Sequence, residues 1–208
     1  MKTLIIFVLL ASALEASGAD FMTLCLAKKR PVGFDNFVKS ALVMDKVVIE
    51  FEKKASCLKM EPFIKTAPTI RLDEPLVPLT LLELLPELES LNLHIETSLT
   101  SLKFGHHPHL TNFSIQGPLN LQDLGDLLSS PDIVSMAIVG MDDHSSIDIR
   151  QLSQFPKLAL LFLQNLTIKN AQTLETLPEL NDLTLKNIKL DRELDWKHFK
   201  KLERKTVE

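Results

Sequence analysis

The one histidine cluster is Gly105-His106-His107-Pro108-His109, with His94 upstream at the end of an apolar stretch. Neutral imidazoles suit zinc or copper, so a metal site is one reading of this cluster. The other is a polar loop entering a strand over Leu110 to Gln116. Asp142, Asp143 and Asp148 offer carboxylate oxygens, but without the ordered spacing of a calcium-binding loop. No phosphate-cradling glycine loop, H-E-x-x-H, G-x-S-x-G or Cys-x-x-Cys pair occurs. No catalytic residue, metal ligand or cofactor is therefore assigned, and the chain is expected not to be an enzyme. The only two cysteines, Cys25 and Cys57, form either a disulfide or two free buried thiols. Two glycosylation sequons start at Asn112 and Asn165.

These residues sit in a chain dominated by one recurring skeleton, P-x-L-x-x-L-x-L. It reads Pro86, Leu88, Leu91, Leu93, then Pro108, Leu110, Phe113, Ile115, then Pro131, Ile133, Met136, Ile138. It continues as Pro156, Leu158, Leu161, Leu163 and Pro178, Leu180, Leu183, Leu185, with prolines 22, 23, 25 and 22 residues apart. Alternation in each x-L-x-L-x puts the leucines on one face of a short strand. A lone strand of this kind has nowhere to bury that face, but a parallel stack shares one continuous core. Return segments over Leu119 to Leu128, Asp148 to Phe155 and Asn170 to Leu177 are predicted to be helical or partly helical, with Asp148 and Asn170 as N-caps.

Through these slots the segment from about Pro86 to Leu190 resembles leucine-rich repeat proteins, whose period is 20–29 residues. The resemblance implies an α/β solenoid: a parallel sheet on the concave face, helical or irregular segments on the convex face, and about seven strands. The chain departs from the consensus in that Asn falls one position early, at Asn165 and Asn187, with Gly117 and Gly140 in the same slot. Receptors of this class usually carry cysteine-rich caps at both ends, and no cysteine lies near this C-terminus.

Four regions are expected. Residues 1–19 carry Lys2, an apolar run from Leu4 to Leu10 and a small-residue end at Ser17-Gly18-Ala19, the layout of a secretory signal peptide; a membrane anchor is the alternative, though the run is shorter than the roughly 20 residues a span needs. Residues 20–62 form an N-terminal cap with a helix over Phe34 to Met44 and a strand at Val47 to Phe51. Residues 63–190 are the repeats; Ile70 and Leu72 mark a degenerate one. Residues 191–208 hold a closing helix over Leu194 to Leu202, in which Trp196 and Phe199 cover the core while Lys197, Lys200 and Lys201 face water. With no later apolar span, the expectation is an extracellular protein without a stable membrane anchor. A formal net charge of −4 argues against nucleic acid.

The outward strand residues define the candidate binding face. The first two strands present Glu50, Glu52, Arg71 and Asp73. Next come Ser90, Asn92 and His94, then Asn112, Ser114 and Gln116. Ala137 and Val139 beside Leu160 and Phe162 then make an apolar patch, followed by Asp182, Thr184 and Lys186. Such a patch marks an interaction site; otherwise it serves strand propensity or is covered by a loop. The resemblance implies a secreted recognition protein (immune-type or inhibitor role) that grips a protein partner on its concave face. The alternative is an extracellular carrier of a small apolar ligand or lipid.

Overall fold

The computed structural model describes residues 20–44, 55–72 and 79–208. The leader at 1–19, the strand expected at Val47 to Phe51 and the outward Glu50, Glu52 and Asp73 lie outside the described residues.

The chain opens with helices α1 (Phe21–Leu26), α2 (Phe34–Met44) and α3 (Ala55–Thr66). The Asp20 carboxylate caps α1 by accepting the Thr23 N–H at 2.8 Å, satisfying one of the donors a helix start leaves free. On α2, the helically spaced Phe34, Phe37 and Val38 are fully buried, and the helix packs on strand β1 (Thr69–Leu72). No pattern in the sequence foretells α3, which contains Pro62, a residue that removes a helix hydrogen bond. Cys25 on α1 and Cys57 on α3 are bonded, with Cα atoms 6.0 Å apart; the free-thiol alternative is overturned. Arg30 ties the same cap together, donating to the Cys25 carbonyl and to Asp35, both at 2.9 Å.

Beyond the cap the chain coils as a leucine-rich repeat solenoid. One parallel ladder runs through β1, β2 (Ser90–His94), β4 (Asn112–Gly117), β6 (Ser135–Gly140), β8 (Leu160–Lys169), β9 (Asp182–Leu190) and β10 (Arg204–Val207). Ile70, Leu91, Phe113, Met136, Leu161 and Leu183 are register partners in one column. A second column holds Leu72, Leu93, Ile115, Ile138, Leu163 and Leu185. Every one of these side chains is at most 2% exposed. Full burial of such a side chain contributes about 1.5–3 kcal/mol, and each strand shares its share of that core with the strand on either side.

The return path is partly helical, as expected, and partly strand. Leu119–Asp123 is strand β5 and Ser146–Asp148 strand β7, and with β3 (Leu99–Ser101) and the second halves of β8 and β9 they form a second parallel ladder. The helical part of each coil shrinks to 3-10 stretches at Gly125–Ser129, Arg150–Gln154 and Ala171–Thr176. A period of about 22 residues must accommodate two strands and two corners, which leaves room for little more than one turn.

Polar ladders hold both corners. At the first, Ile95, Gly117, Gly140, Asn165 and Asn187 occupy one slot. A Cβ on Gly117 would lie 2.6 Å from the Ile95 carbonyl oxygen, and one on Gly140 would strike the Asn165 carbonyl, so only glycine lets these turns stack. Asn165 and Asn187 adopt left-handed backbone, φ 53° and 49°, a conformation Asn tolerates better than most residues. The Asn187 amide donates to the Asn165 side-chain oxygen at 2.9 Å, and the Asn165 amide donates to the Gly140 carbonyl at 3.2 Å. At the second corner Ser101 donates to Asp123 at 3.0 Å and Asn170 donates to Asp148 at 2.9 Å. Asp191 there accepts the Asn170 and Ala171 N–H groups at 2.6 and 3.1 Å. Asn170 holds the N-cap position of Ala171–Thr176 but its side chain caps no N–H there: its backbone is left-handed and its amide serves the ladder. Asp148 does accept the Arg150 N–H, at 3.1 Å.

The closing helix expected over Leu194 to Leu202 is absent. A single 3-10 turn, Trp196–His198, leads into β10, which pairs in parallel with β9. Leu202 and Val207 lie 22 residues after Leu180 and Leu185, so this is one more repeat, disguised by Lys200 in the proline slot and Lys205 in a leucine slot. The Lys205 ammonium rests 4.0 Å from the Trp196 ring centre, and Trp196 stacks on Phe199 at 5.2 Å. No helix among the described residues is long and apolar enough to cross a membrane.

Candidate functional site

Parallel register turns the outward residues into three files across the concave sheet. The first is Ser90, Asn112, Ser135, Leu160, Asp182; the second Arg71, Asn92, Ser114, Ala137, Phe162, Thr184; the third His94, Gln116, Val139, Gln164, Lys186. The structure therefore brings every described residue of the predicted face together on one sheet. Leu160 is 43% exposed and Ala137, Val139 and Phe162 half-buried.

Three members of this face escaped the sequence reading. Gln164, not an apolar residue, lies opposite Val139, and Ser135 lies opposite Leu160, so the apolar patch is a diagonal band. Gln164 was hidden because the turn residue Asn165 suggests that the strand stops at Leu163, whereas β8 runs on through the corner to Lys169. Val134, 38% exposed, adds apolar surface at the rim, where its carbonyl accepts the Leu160 N–H at 3.0 Å. Its signal was its position just outside the strand pattern.

The charge distribution on this face is uneven. The outward positions of β2, β4, β6 and the concave half of β8 (Leu160 to Gln164) hold Ser, Asn, Gln, His, Ala, Val, Leu and Phe but not one Asp, Glu, Lys or Arg, in a chain that is 24% charged. Ionised groups return only at the flanks. On β9, Asp182 and Lys186 face Arg204 at 3.6 Å and Glu208 at 3.2 Å, exposed pairs of small energetic weight.

The histidine cluster is dispersed. His94 lies on the concave sheet and His106 and His109 are exposed, but His107 is wholly buried. It fills the core slot held elsewhere by Leu85, Ser130, Phe155 and Leu177. Its Nε2 donates to the Phe104 carbonyl at 3.1 Å, its ring stacks on Phe104 at 5.7 Å, and its Nδ1 has no partner. Burial, opposed by hydrogen bonds to backbone carbonyls, lowers the imidazole below its ordinary pKa. The acidic trio is dispersed as well. Asp142 pins its own loop, accepting from His144 N–H at 3.1 Å and Ser145 Oγ at 2.7 Å. At Asp148 burial works against ionisation, but hydrogen bonds from Arg150 and Asn170 outweigh it and hold the carboxyl below its usual range. Among the described residues no group of three or more His, Cys, Asp or Glu is placed to hold a metal ion.

Two clefts flank the loop that starts at Met141. One, about 330 Å3, is lined by Asp142, Asp143, Asn165, Thr167, Asn187 and Lys189 among others; the second, about 320 Å3, by His94, Glu96, Pro118 and Met141 among others. Neither includes Val139, Leu160 or Phe162.

The two sequons differ in setting. Asn112 is exposed on the concave sheet, its amide donating only to the neighbouring Thr111 hydroxyl at 2.9 Å. Asn165 is half-buried in the corner ladder, with both ends of its amide engaged.

No protein-family model and no curated protein sequence matches this chain. Among solved structures, internalin C2 (inlC2) from Listeria monocytogenes is similar at a TM-score of 0.39 and 14% identity, covering 82% of this chain and 90% of that one. At that level of similarity the fold assignment rests on this chain's own strand register and core columns.

Proposed function

We propose that this is a secreted, non-enzymatic binding protein that holds a protein partner against its concave face. The observation that carries this reading is the uncharged field across β2, β4, β6 and β8, with amide and hydroxyl groups around a band of Ala137, Val139, Leu160 and Phe162. Placing apolar side chains in water costs about 25 cal/mol per Å2, and leaving charge off an exposed sheet gives up solubility. Both are recovered when a neutral, partly apolar surface covers the face, with desolvated aromatic anchors carrying most of the affinity. Secretion is supported by the leader pattern of residues 1–19 and by the Cys25–Cys57 disulfide, a bond that persists in oxidising compartments. The carrier alternative gains no support from the clefts, whose linings include none of Val139, Leu160 and Phe162.

The test is affinity capture from extracellular fluid of the source organism, comparing the natural chain with Phe162→Ala. An anchor of this kind costs about 2 kcal/mol or more, roughly thirtyfold in Kd, with secretion and melting temperature unchanged. Because the field is neutral, raising salt to about 0.5 M, where screening is nearly complete, changes the affinity less than about threefold. Equal capture by both forms, or strong salt dependence, removes the band as the site.

A further inference from the structure

We infer that Asn112, and not Asn165, is the asparagine that carries an N-linked glycan in the folded protein, on the concave face beside the apolar band. The inference rests on the secreted reading above, because the transfer requires a lipid-linked oligosaccharyl diphosphate as donor. The Asn Nδ2 bonds to the sugar C1, the C1–O bond to the diphosphate breaks, the lipid diphosphate leaves with that electron pair, and Nδ2 gives up one proton.

The two acceptors have the same sequence grammar but different free atoms. At Asn112 the strand holds Asn112 and Ser114 on the same outward side, with Phe113 buried between them. The amide makes a single hydrogen bond, to Thr111, and its register neighbours are the small Ser90 and Ser135, so a sugar on Nδ2 meets open space. At Asn165 the Nδ2 already donates to the Gly140 carbonyl, while the Oδ1 receives the Asn187 amide. A sugar there has to leave from a half-buried corner in which Gly140 is packed against the Asn165 carbonyl itself. The corner ladder and the glycan compete for one nitrogen.

A glycan on Asn112 also limits what the face can hold. Asn112 lies two strands from Leu160 in the same file, about 10 Å at ordinary strand spacing. The sugar covers the β2–β4 side and leaves the partner the apolar band on β6 and β8.

The experiment expresses the full chain in a eukaryotic secretory host, alone and with a host leader fused ahead of Met1, and compares it with Asn112→Gln and Thr167→Ala. Thr167→Ala removes the second sequon while leaving the Asn165 ladder in place. Protein in the medium is digested with a glycoamidase that hydrolyses the Asn–glycan amide bond and converts the acceptor Asn to Asp, and its peptides are mapped. The expected result is one glycan's mass shift, lost in Asn112→Gln and unchanged in Thr167→Ala, with equal melting temperatures. A glycan on Asn165, or an unoccupied Asn112, in the secreted protein overturns the inference. Secretion only from the host-leader form sinks the secreted reading instead, and that form still decides between the two asparagines.

Discussion

His107 shows how one side chain can occupy a repeat slot and still change the molecule's behaviour. A leucine in that slot would be indifferent to pH, whereas a buried imidazole with an unpartnered Nδ1 resists the proton that an unfolded chain accepts. The groups around it are the Phe104 and Leu85 carbonyls, Glu83 and the neighbouring His106. Above about pH 6.5 the ring is neutral in both states and the fold bears no penalty. As pH falls below that value the unfolded chain binds a proton first, so stability declines until the lowered folded pKa is reached. Urea unfolding followed between about pH 7.5 and 5 is expected to show this decline, and His107→Leu to flatten it. An unaltered slope in His107→Leu would assign the pH response elsewhere. Below this window Asp148 and Glu175, both held below the ordinary carboxylate range, lose their contributions as pH falls through their folded pKa values.

At the scale of the element, the corners decide how the strands stack. Asn165 combines a left-handed backbone with two ladder hydrogen bonds, and the two contributions can be separated by substitution. Asn165→Ala loses both, for about 3–4 kcal/mol, summing the left-handed cost of a side chain with Cβ and two net hydrogen bonds. Asn165→Gly restores the backbone freedom and is expected to cost only about 2 kcal/mol, the two hydrogen bonds. Chemical denaturation of the pair measures the difference; equal losses would mean that the amide alone matters. The Asn slots were legible as turn residues in the sequence, and their spacing matched that of the strands. The second ladder of strands was not, because Leu119, Leu121 and Ile147 are too short a pattern to tell a strand from a turn of helix. What makes them strands is the parallel partner on the next coil, which lies 21 or 26 residues away.

For the whole molecule, each coil touches only its neighbours, so stability passes along the stack from one interface to the next. The Cys25–Cys57 bond spans 32 residues at one end of that stack and contributes about 3–4 kcal/mol in the chain-entropy description. Replacing both cysteines by alanine is expected to lower stability by about that amount and to fray the adjacent coils first. Hydrogen exchange should then accelerate in β1 and β2 well before β8 and β9. Uniform acceleration along the sheet would indicate a single cooperative block.

By itself the sequence determined the solenoid. A proline-leucine skeleton of fixed period demands stacked parallel strands, and the inward column from Ile70 to Leu183 and the outward files follow from alternation alone. Only the tertiary structure decided the rest. Lys200 and Lys205 mask a further strand that β9 templates through backbone hydrogen bonds, which are blind to side-chain identity. Gln164 joins the concave face because β8 continues through its corner. The histidine cluster comes apart because core packing claims His107 while its neighbours face water. Periodic burial is written in residue types, whereas strand pairing, corner geometry and the fate of individual polar groups depend on which coil lies next door.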